Sequence, residues 1–527
     1  MVDDHVRDTS RRLGAFRVKG FRSTNPWTRS TLPTAAVAVV ALFAPAGDVT
    51  QQHPVTRSAK PESSCTAPLP NGRTSPAPAP RGASRPVKGG IDRGGDFNGD
   101  GRRDIAVSVP FRMTDMPDSA LSGKWSGAYV AVIPSGPHGP DPARRQIITH
   151  DCLDVPTRGK PNHTFGTALD SADFDRDGYD DLVVVGQNGG YNGLGDATVT
   201  IVYGSANGLT SRAVELISSG TGSFFDKVAI GDFGGNGELD IVAAPGAFGD
   251  LHLFRNVVDR PVAVERSRLI RKPPHGRGAE DSFESLQVAD FNADGRSDLA
   301  VMVEWSAMGE RSYDWGELRL GGPRGLSGRA TVFGRGRVGL ESMAGDVTGD
   351  GRPDLVMRDT GRTMSVAPGT STGLGAPQRF TLPPAPEPLN PGLGEPPPNS
   401  GTAPGFTVGD VTGDGTADVT VTENGKVAVL PGGPGGVRAA QAEILDKEGL
   451  PQPAGSDLRQ IGGLSVGDVT GDGAPDLVIG APEWSTRAGG RLYILPGGQA
   501  RGATTISGTQ LGLVQRPNGG FGQVLLP

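Results

Sequence analysis

Short apolar runs recur along residues 93–527, separated by polar, Gly-rich turns. They read IAVSV from Ile105, LVVVG from Leu182, IVAAP from Ile241, LAVMV from Leu299, LVMR from Leu355, VTVT from Val419 and LVIGAP from Leu477. Such brief runs, rich in Val and Ile and bounded by turn formers, predict strands rather than helices. A shorter β-like stretch precedes most of them: TALDSAD, DKVAIGD, ESLQVAD, FTVGD and LSVGD. A Gly-rich turn and a third strand follow, as in AYVAVIP, ATVTIVYG, LHLFRN, ELRLGG, VAVLPGG and RLYILPGG. A weaker fourth strand closes each unit: RQIITH, AVELIS, SRLIR, ATVFG, QRFTL, AEILD and TTISG.

Between the first two strands lies one acidic motif, present seven times. The copies are DFNGDGRRD from Asp96, DFDRDGYDD from Asp173, DFGGNGELD from Asp232, DFNADGRSD from Asp290, DVTGDGRPD from Asp346, DVTGDGTAD from Asp410 and DVTGDGAPD from Asp468. Their spacings are 77, 59, 58, 56, 64 and 58 residues. Loop insertions at 110–127 and 134–142 and a Pro-rich loop at 383–404 account for the longer ones. Four short strands per unit at a fixed period is the pattern of a propeller blade, so the chain is expected to be all-β, a seven-bladed β-propeller of four-stranded antiparallel blades. An open solenoid is the alternative, with shorter units and capping ends.

Composition supports this. Gly (82) and Pro (45) make up about a quarter of the 527 residues, which disfavours helical architectures. The net charge of −7 argues against a nucleic-acid partner. Two cysteines are too few for a disulfide scaffold or a Cys-rich zinc module. The longest apolar stretch, Ala35 to Ala46, is too short to span a bilayer, so no membrane insertion is expected.

The N-terminus is organised differently. Residues 1–31 carry Arg7, Arg11, Arg12, Arg17, Lys19, Arg22 and Arg29, and TAAVAVVALFAPA follows from Thr34 to Ala46. A basic region, a short apolar region and the small residues Ala44-Pro45-Ala46 read as a signal peptide, 1–46, for the general secretory route. Residues 47–92 are Pro/Ser/Ala-rich with few aliphatic side chains and read as a flexible linker. Cys65 lies in it and Cys152 in the propeller; outside the cell the two could pair and pin the linker to the domain.

The repeated motif resembles the FG-GAP repeat of integrin α-subunit propellers and the related bacterial VCBS-type repeats, over about residues 93–527. Phe165-Gly166 supplies the FG element, Gly480-Ala481-Pro482 the GAP element, and Ala244-Pro245 part of it. The FG pair is lost at Phe224-Phe225 and Phe283-Glu284 and reversed at Gly405-Phe406. A further FG, Phe521-Gly522, stands in the C-terminal GGFGQVLLP. Residues 519–527 are therefore expected to dock beside the first unit and close the ring, removing exposed strand edges. The resemblance implies an adhesion or protein-interaction module with an extracellular protein ligand.

The acidic loops suggest a metal. Side-chain oxygens at positions 1, 3 and 5, a carbonyl at 7 and a carboxylate at 9 would form an oxygen cage, with Gly at 6 for the backbone reversal. Hard oxygens in a flexible loop suit Ca²⁺ better than Mg²⁺. The loops are not EF-hands, since Val107 and Val184 stand where position 12 needs Glu. The expected ligand sets are Asp96, Asn98, Asp100 and Asp104; Asp173, Asp175, Asp177 and Asp181; Asp290, Asn292, Asp294 and Asp298; Asp346, Thr348, Asp350 and Asp354; Asp410, Thr412, Asp414 and Asp418; and Asp468, Thr470, Asp472 and Asp476. The second is richest in charge, and the three with Thr are weaker. The third loop, with Gly234 and Asn236 beside Asp232 and Asp240, is expected to bind poorly or not at all. The alternative is hydrogen-bonded Asx turns without metal. At millimolar calcium and a Kd of ~10⁻⁴ M each site would add roughly 1.4 kcal/mol, a structural role.

Two catalytic-looking strings lack their context. Gly463-Leu464-Ser465-Val466-Gly467 occupies a pre-loop strand, with no helix after it, and Gly334, Gly336 and Gly339 precede another acidic loop. The seven histidines show no ligand spacing. No catalytic residue and no enzyme activity is expected. Trp125, Tyr191, Trp305, Trp315 and Trp484 fall in the loops opposite the acidic ones, and Trp484, Trp125 and Tyr191 come from neighbouring blades of a closed ring. They could form a ligand face or pack between blades. The sequence thus reads as a secreted, monomeric, calcium-stabilised binding module. A glycan-binding lectin is the second reading and an extracellular polysaccharide lyase or esterase the third.

Overall fold

The computed structural model describes residues 94–109, 128–156, 164–188, 196–218, 225–245, 250–257, 264–267, 279–307, 313–334, 341–359, 362–383, 405–423, 426–445, 450–451, 462–482, 490–511, 521–522 and 524–526. The chain divides into two compact units, Met1–Lys60 and Pro61–Pro527, and every described residue belongs to the second. The expected signal peptide and linker, Cys65, Trp125, Tyr191, Trp484 and most of the insertions lie outside the described residues.

Seven four-stranded antiparallel sheets form the blades. The second blade is typical: Thr164–Ala172, Asp181–Asn188, Asp196–Val202 and Ala213–Ser218, in sequence order across the sheet. No α-helix occurs among the described residues, so none there is long and apolar enough to cross a membrane. One strand sits earlier than its sequence suggests: in the third blade the outer strand is Val264–Ser267 rather than SRLIR.

The second strand of each blade explains the architecture. Ile105–Val109, Asp240–Pro245 and Asp476–Ala481 are buried at every residue. Alternate side chains of one strand serve two interfaces. Leu182 and Val184 pack with Ala106 and Val130 of the first blade, whereas Val183 and Val185 pack with Phe225 and Ile230 of the third. A strand apolar on both faces needs a neighbour on each side, and a ring gives every blade two. The last interface closes it: Val469, Val478, Leu492 and Ile494 of the seventh blade join Ile105, Val107 and Ile133 of the first.

The C-terminal strand Val524–Leu525 pairs antiparallel with the first blade, Val107 opposite Leu525 and Ser108 opposite Val524. It takes the edge position that the pre-loop strand takes elsewhere. Phe521 is fully buried in the closing interface. Gly522 adopts φ 91°, as Gly166 does at 92°. Gly480 faces the Gly522 carbonyl so closely that a Cβ there would collide with backbone. Where Gly is lost from the FG pair, the phenylalanine keeps its place: Phe225 and Phe283 are buried and a β-bulge follows each.

Removing residues 519–527 strips Phe521, Val524, Leu525 and Leu526 from the core, each worth about 1.5–3 kcal/mol when fully buried. The expected outcome is a sharp fall in melting temperature by calorimetry. An unchanged melt would show that the strand contributes nothing to closure.

Candidate metal-binding loops

All seven acidic loops share one hydrogen-bonded turn. The first Asp accepts the N–H of position 6 in every copy, at 2.6–3.0 Å. The position-5 side chain accepts the N–H of position 7 in every copy, at 2.8–3.1 Å. The third loop makes both contacts with Asp232 and Asn236. The turn is therefore made with only one carboxylate at these two positions.

Position 4 was not singled out in the sequence, although Gly recurs there in five copies. Gly99, Gly235, Gly349, Gly413 and Gly471 all have φ of 68–74°. Arg176 and Ala293 hold the same position at 59° and 56°, where a side chain is disfavoured. The position-7 side chain of the next blade lies across several of these residues: Tyr179 over Gly99, Arg296 over Gly235 and Arg102 over Gly471.

Position 2 and position 9 fasten each loop to the ring. Phe97, Phe174, Phe233, Phe291, Val347, Val411 and Val469 are buried, each in the cluster shared with the following blade. The position-9 carboxylates, Asp104, Asp181, Asp240, Asp298, Asp354, Asp418 and Asp476, are at most 2% exposed. Asp181 is representative: Oδ2 accepts Phe174 N–H and Oδ1 accepts Gly204 N–H, both at 2.9 Å. The carboxylate bridges the start of the loop to the end of the third strand. Sequence reading gave position 9 a ligand's role only; the turn that recurs after strand three was the available signal for the brace.

The loops differ in what remains for a cation. In the second, Asp173, Asp175 and Asp177 each offer an oxygen, all within 4.8 Å of one another. This cluster forms without Asp181. Asp175 Oδ1 is buried with no hydrogen-bond partner, and its Oδ2 accepts from Arg212 Nη1 at 2.8 Å. Burial and, after it, the mutual charge raise the pKa of Asp173 and Asp177. In the first and fourth loops, Asn98 and Asn292 Oδ1 instead accept the N–H of Asp100 and Asp294 at 3.0 and 2.9 Å. In the fifth, Thr348 Oγ1 donates to Asp346 at 3.4 Å. Thr412 and Thr470 give Asp418 and Asp476 their backbone N–H groups, at 2.8 and 2.7 Å. In the third loop Gly234 offers no oxygen, and Arg176 of the second blade donates to the Gly237 carbonyl.

The described side chains that look catalytic are buried. Ser465 is buried in the strand Leu464–Gly467. Gly336 and Gly339 lie outside the described residues. Ser218 Oγ and His252 Nδ1 are 2.8 Å apart, but both are buried, with His252 edge-on to Phe225. Trp305 and Trp315, expected in loops, stand on strands and are 6% and 3% exposed in the interface between the third and fourth blades.

A family model described as the FG-GAP repeat matches residues 93–128 and 462–495, the first and seventh units. Human integrin alpha-IIb is 35% identical over 159 residues, 29% of this chain and 14% of the integrin. Mouse integrin alpha-IIb is 31% identical over the same shares. The chain thus matches about one seventh of the length of these relatives. Among solved structures, the exotype rhamnogalacturonan lyase YesX aligns with 72% of this chain and 64% of its own, at 12% identity and a TM-score of 0.31. The chain carries FG-GAP repeats at its first and seventh units, and 159 of its residues are similar to integrin alpha-IIb.

Burial pushes the carboxyl of Asp181 up to about 8 and that of Asp298 up to about 7, against 3.8 unperturbed. With a raised folded pKa, the folded state holds the extra protons, so this contribution to stability is complete below about pH 4 and is lost as pH rises through 7 and 8. In chelator, the melting temperature is expected to fall between pH 6 and pH 9, and Asp181→Asn to flatten the slope. A melt insensitive to pH over that range would contradict it.

Proposed function

We propose that this chain is an exported, calcium-stabilised propeller that binds an extracellular protein rather than transforming a substrate. The observation that carries the metal half is the second loop. Three carboxylate oxygens within 4.8 Å fit around an ion with 2.3–2.6 Å oxygen bonds, since ligands on opposite sides would stand about 5 Å apart. Asp175 Oδ1 is buried without a partner, and a guanidinium supplies the counter-charge on Oδ2. Asp173, Asp175 and Asp177 would hold the ion. Asp181 keeps unused lone pairs beside its two N–H bonds and would complete the set. Bound calcium supplies charge neutralisation at the joint between blades. The first, fourth, fifth, sixth and seventh loops offer the same first and fifth positions with a neutral third, for weaker sites.

The binding half rests on the integrin α-like propeller. Export is supported by Cys152, which is disulfide-bonded. Structural disulfides persist in oxidising compartments. The glycan reading needs aromatic rings open to solvent, and the two described tryptophans are buried. Trp125, Tyr191 and Trp484 lie outside the described residues, so no observation favours it.

The melting temperature is expected to fall on chelation and to return with millimolar calcium but not magnesium. The Asp175→Ala/Asp177→Ala variant should lose about 1.4 kcal/mol of calcium-dependent stability, one site's worth at a Kd of ~10⁻⁴ M. Identical melts with calcium and chelator would remove the metal from this reading. Saturable binding on a glycan array, with none on an array of secreted proteins, would replace the protein ligand by a carbohydrate.

A further inference from the structure

Arg212 is not explained by the turn that shapes the second loop. That turn is made within the loop: Asp173 accepts the N–H groups of Asp177 and Gly178, and Asp177 accepts that of Tyr179. Asp175 accepts none of these. Its Oδ2 is instead 2.8 Å from Arg212 Nη1. Arg212 comes from the connection between the strands Asp196–Val202 and Ala213–Ser218 of the same blade. Its guanidinium lies 3.8 Å from the centre of the buried Tyr203 ring, and Tyr203 N–H donates to the Arg212 carbonyl at 3.1 Å. Both ends of the residue are therefore tied to Tyr203, and the guanidinium pairs with Asp175 while its charge also reaches Asp177.

We propose that Arg212 is the built-in counter-cation of the second loop and sets the divalent-cation concentration at which Asp173, Asp175 and Asp177 are occupied. This rests on the reading of that loop as a calcium site. A guanidinium neutralises Asp175 but leaves its buried Oδ1 unbonded, so an ion that reaches both oxygens satisfies what the arginine does not. An entering ion competes with Arg212 for Oδ2. The arginine can yield: its side chain is 56% exposed, against 13% for Asp175. Other loops carry looser versions. Asp100, Asp294 and Asp350 meet arginines of their own loops at 3.4–3.7 Å, and Asp414 meets Arg438 at 3.6 Å. The loop with most carboxylates is thus also the one with the closest arginine, and its affinity is lower than its charge alone implies.

Terbium luminescence on the full chain tests this, read as the part of the tyrosine-sensitised signal that Asp175→Asn/Asp177→Asn removes, because Tyr179 at position 7 of the second loop also lies over Gly99 of the first. Arg212→Gln is expected to tighten terbium, and calcium in competition, about fivefold, the factor to which an exposed ion pair of ~1 kcal/mol converts. Arg212→Lys keeps the charge and should stay within about twofold of wild type by the same conversion. In chelator Arg212→Gln should melt below wild type; in millimolar calcium the gap should close or reverse. Equal lowering in both conditions, an unchanged terbium affinity, or tightening by Arg212→Lys as large as that by Arg212→Gln would overturn the proposal. If Asp175→Asn/Asp177→Asn retains the tyrosine-sensitised signal, the calcium reading of this loop fails instead, a result separate from any effect of Arg212.

Discussion

Everything in this structure depends on strands that are apolar on both faces. A strand such as Ile105–Val109, buried at every residue, cannot lie at a solvent-exposed sheet face. Each blade must be covered twice, and seven blades arranged in a ring cover one another without remainder. Among the described residues the first blade has no pre-loop strand of its own, and Val524–Leu525 stands in its place. Closure therefore joins the two ends of the propeller sequence and leaves the strand Ile105–Val109 paired on both edges.

The acidic loops are the joints of that ring. Position 2 plugs into the next blade, and position 9 braces the loop to the third strand. Backbone bonds add to this: Asp180 N–H donates to Asp96 O at 3.1 Å and Arg103 N–H to Asp468 O at 3.2 Å, the latter across the closure. The brace has a cost, because a buried carboxylate is poorly solvated, and burial is the leading cause of every raised position-9 pKa. Two N–H donors offset part of it. A cation beside the loop would offset more, which links metal binding to blade packing rather than to a separate surface function.

The fold was legible because the repeat is visible twice over, as apolar runs and as the nine-residue motif. Each apolar run holds its side chains to two interfaces, so the pattern is continuous rather than alternating and stands out even in short strands. The acidic and polar side chains at positions 1, 3 and 5 of the loops were equally plain. What stayed hidden involves residues distant in sequence. The position-9 brace reaches Gly204, the counter-charge on Asp175 comes from Arg212, and Tyr179 covers Gly99 of the preceding blade. Trp305 and Trp315 misled for a different reason. A tryptophan near a turn reads as a loop residue until the long strands Asp298–Ala307 and Tyr313–Arg319 are seen to include it, and of the two roles left open it packs between blades.

The third loop shows what the ring requires of a joint and what it does not. It has no oxygen at position 3 and an amide at position 5, yet its turn, its buried Phe233 and its braced Asp240 match the other copies. Arg176 from the neighbouring blade reaches its Gly237 carbonyl, and Arg296 from the next lies across Gly235. The joint is thus built by the backbone turn, the plug and the brace, which all seven loops keep. Carboxylates beyond the first and ninth are additional, and they appear in loops where an arginine or a cation can meet them. An ion bound at such a loop would stabilise a joint whose turn, plug and brace all seven copies share, so the charge at positions 3 and 5 can vary from blade to blade while the seven-fold architecture stays constant.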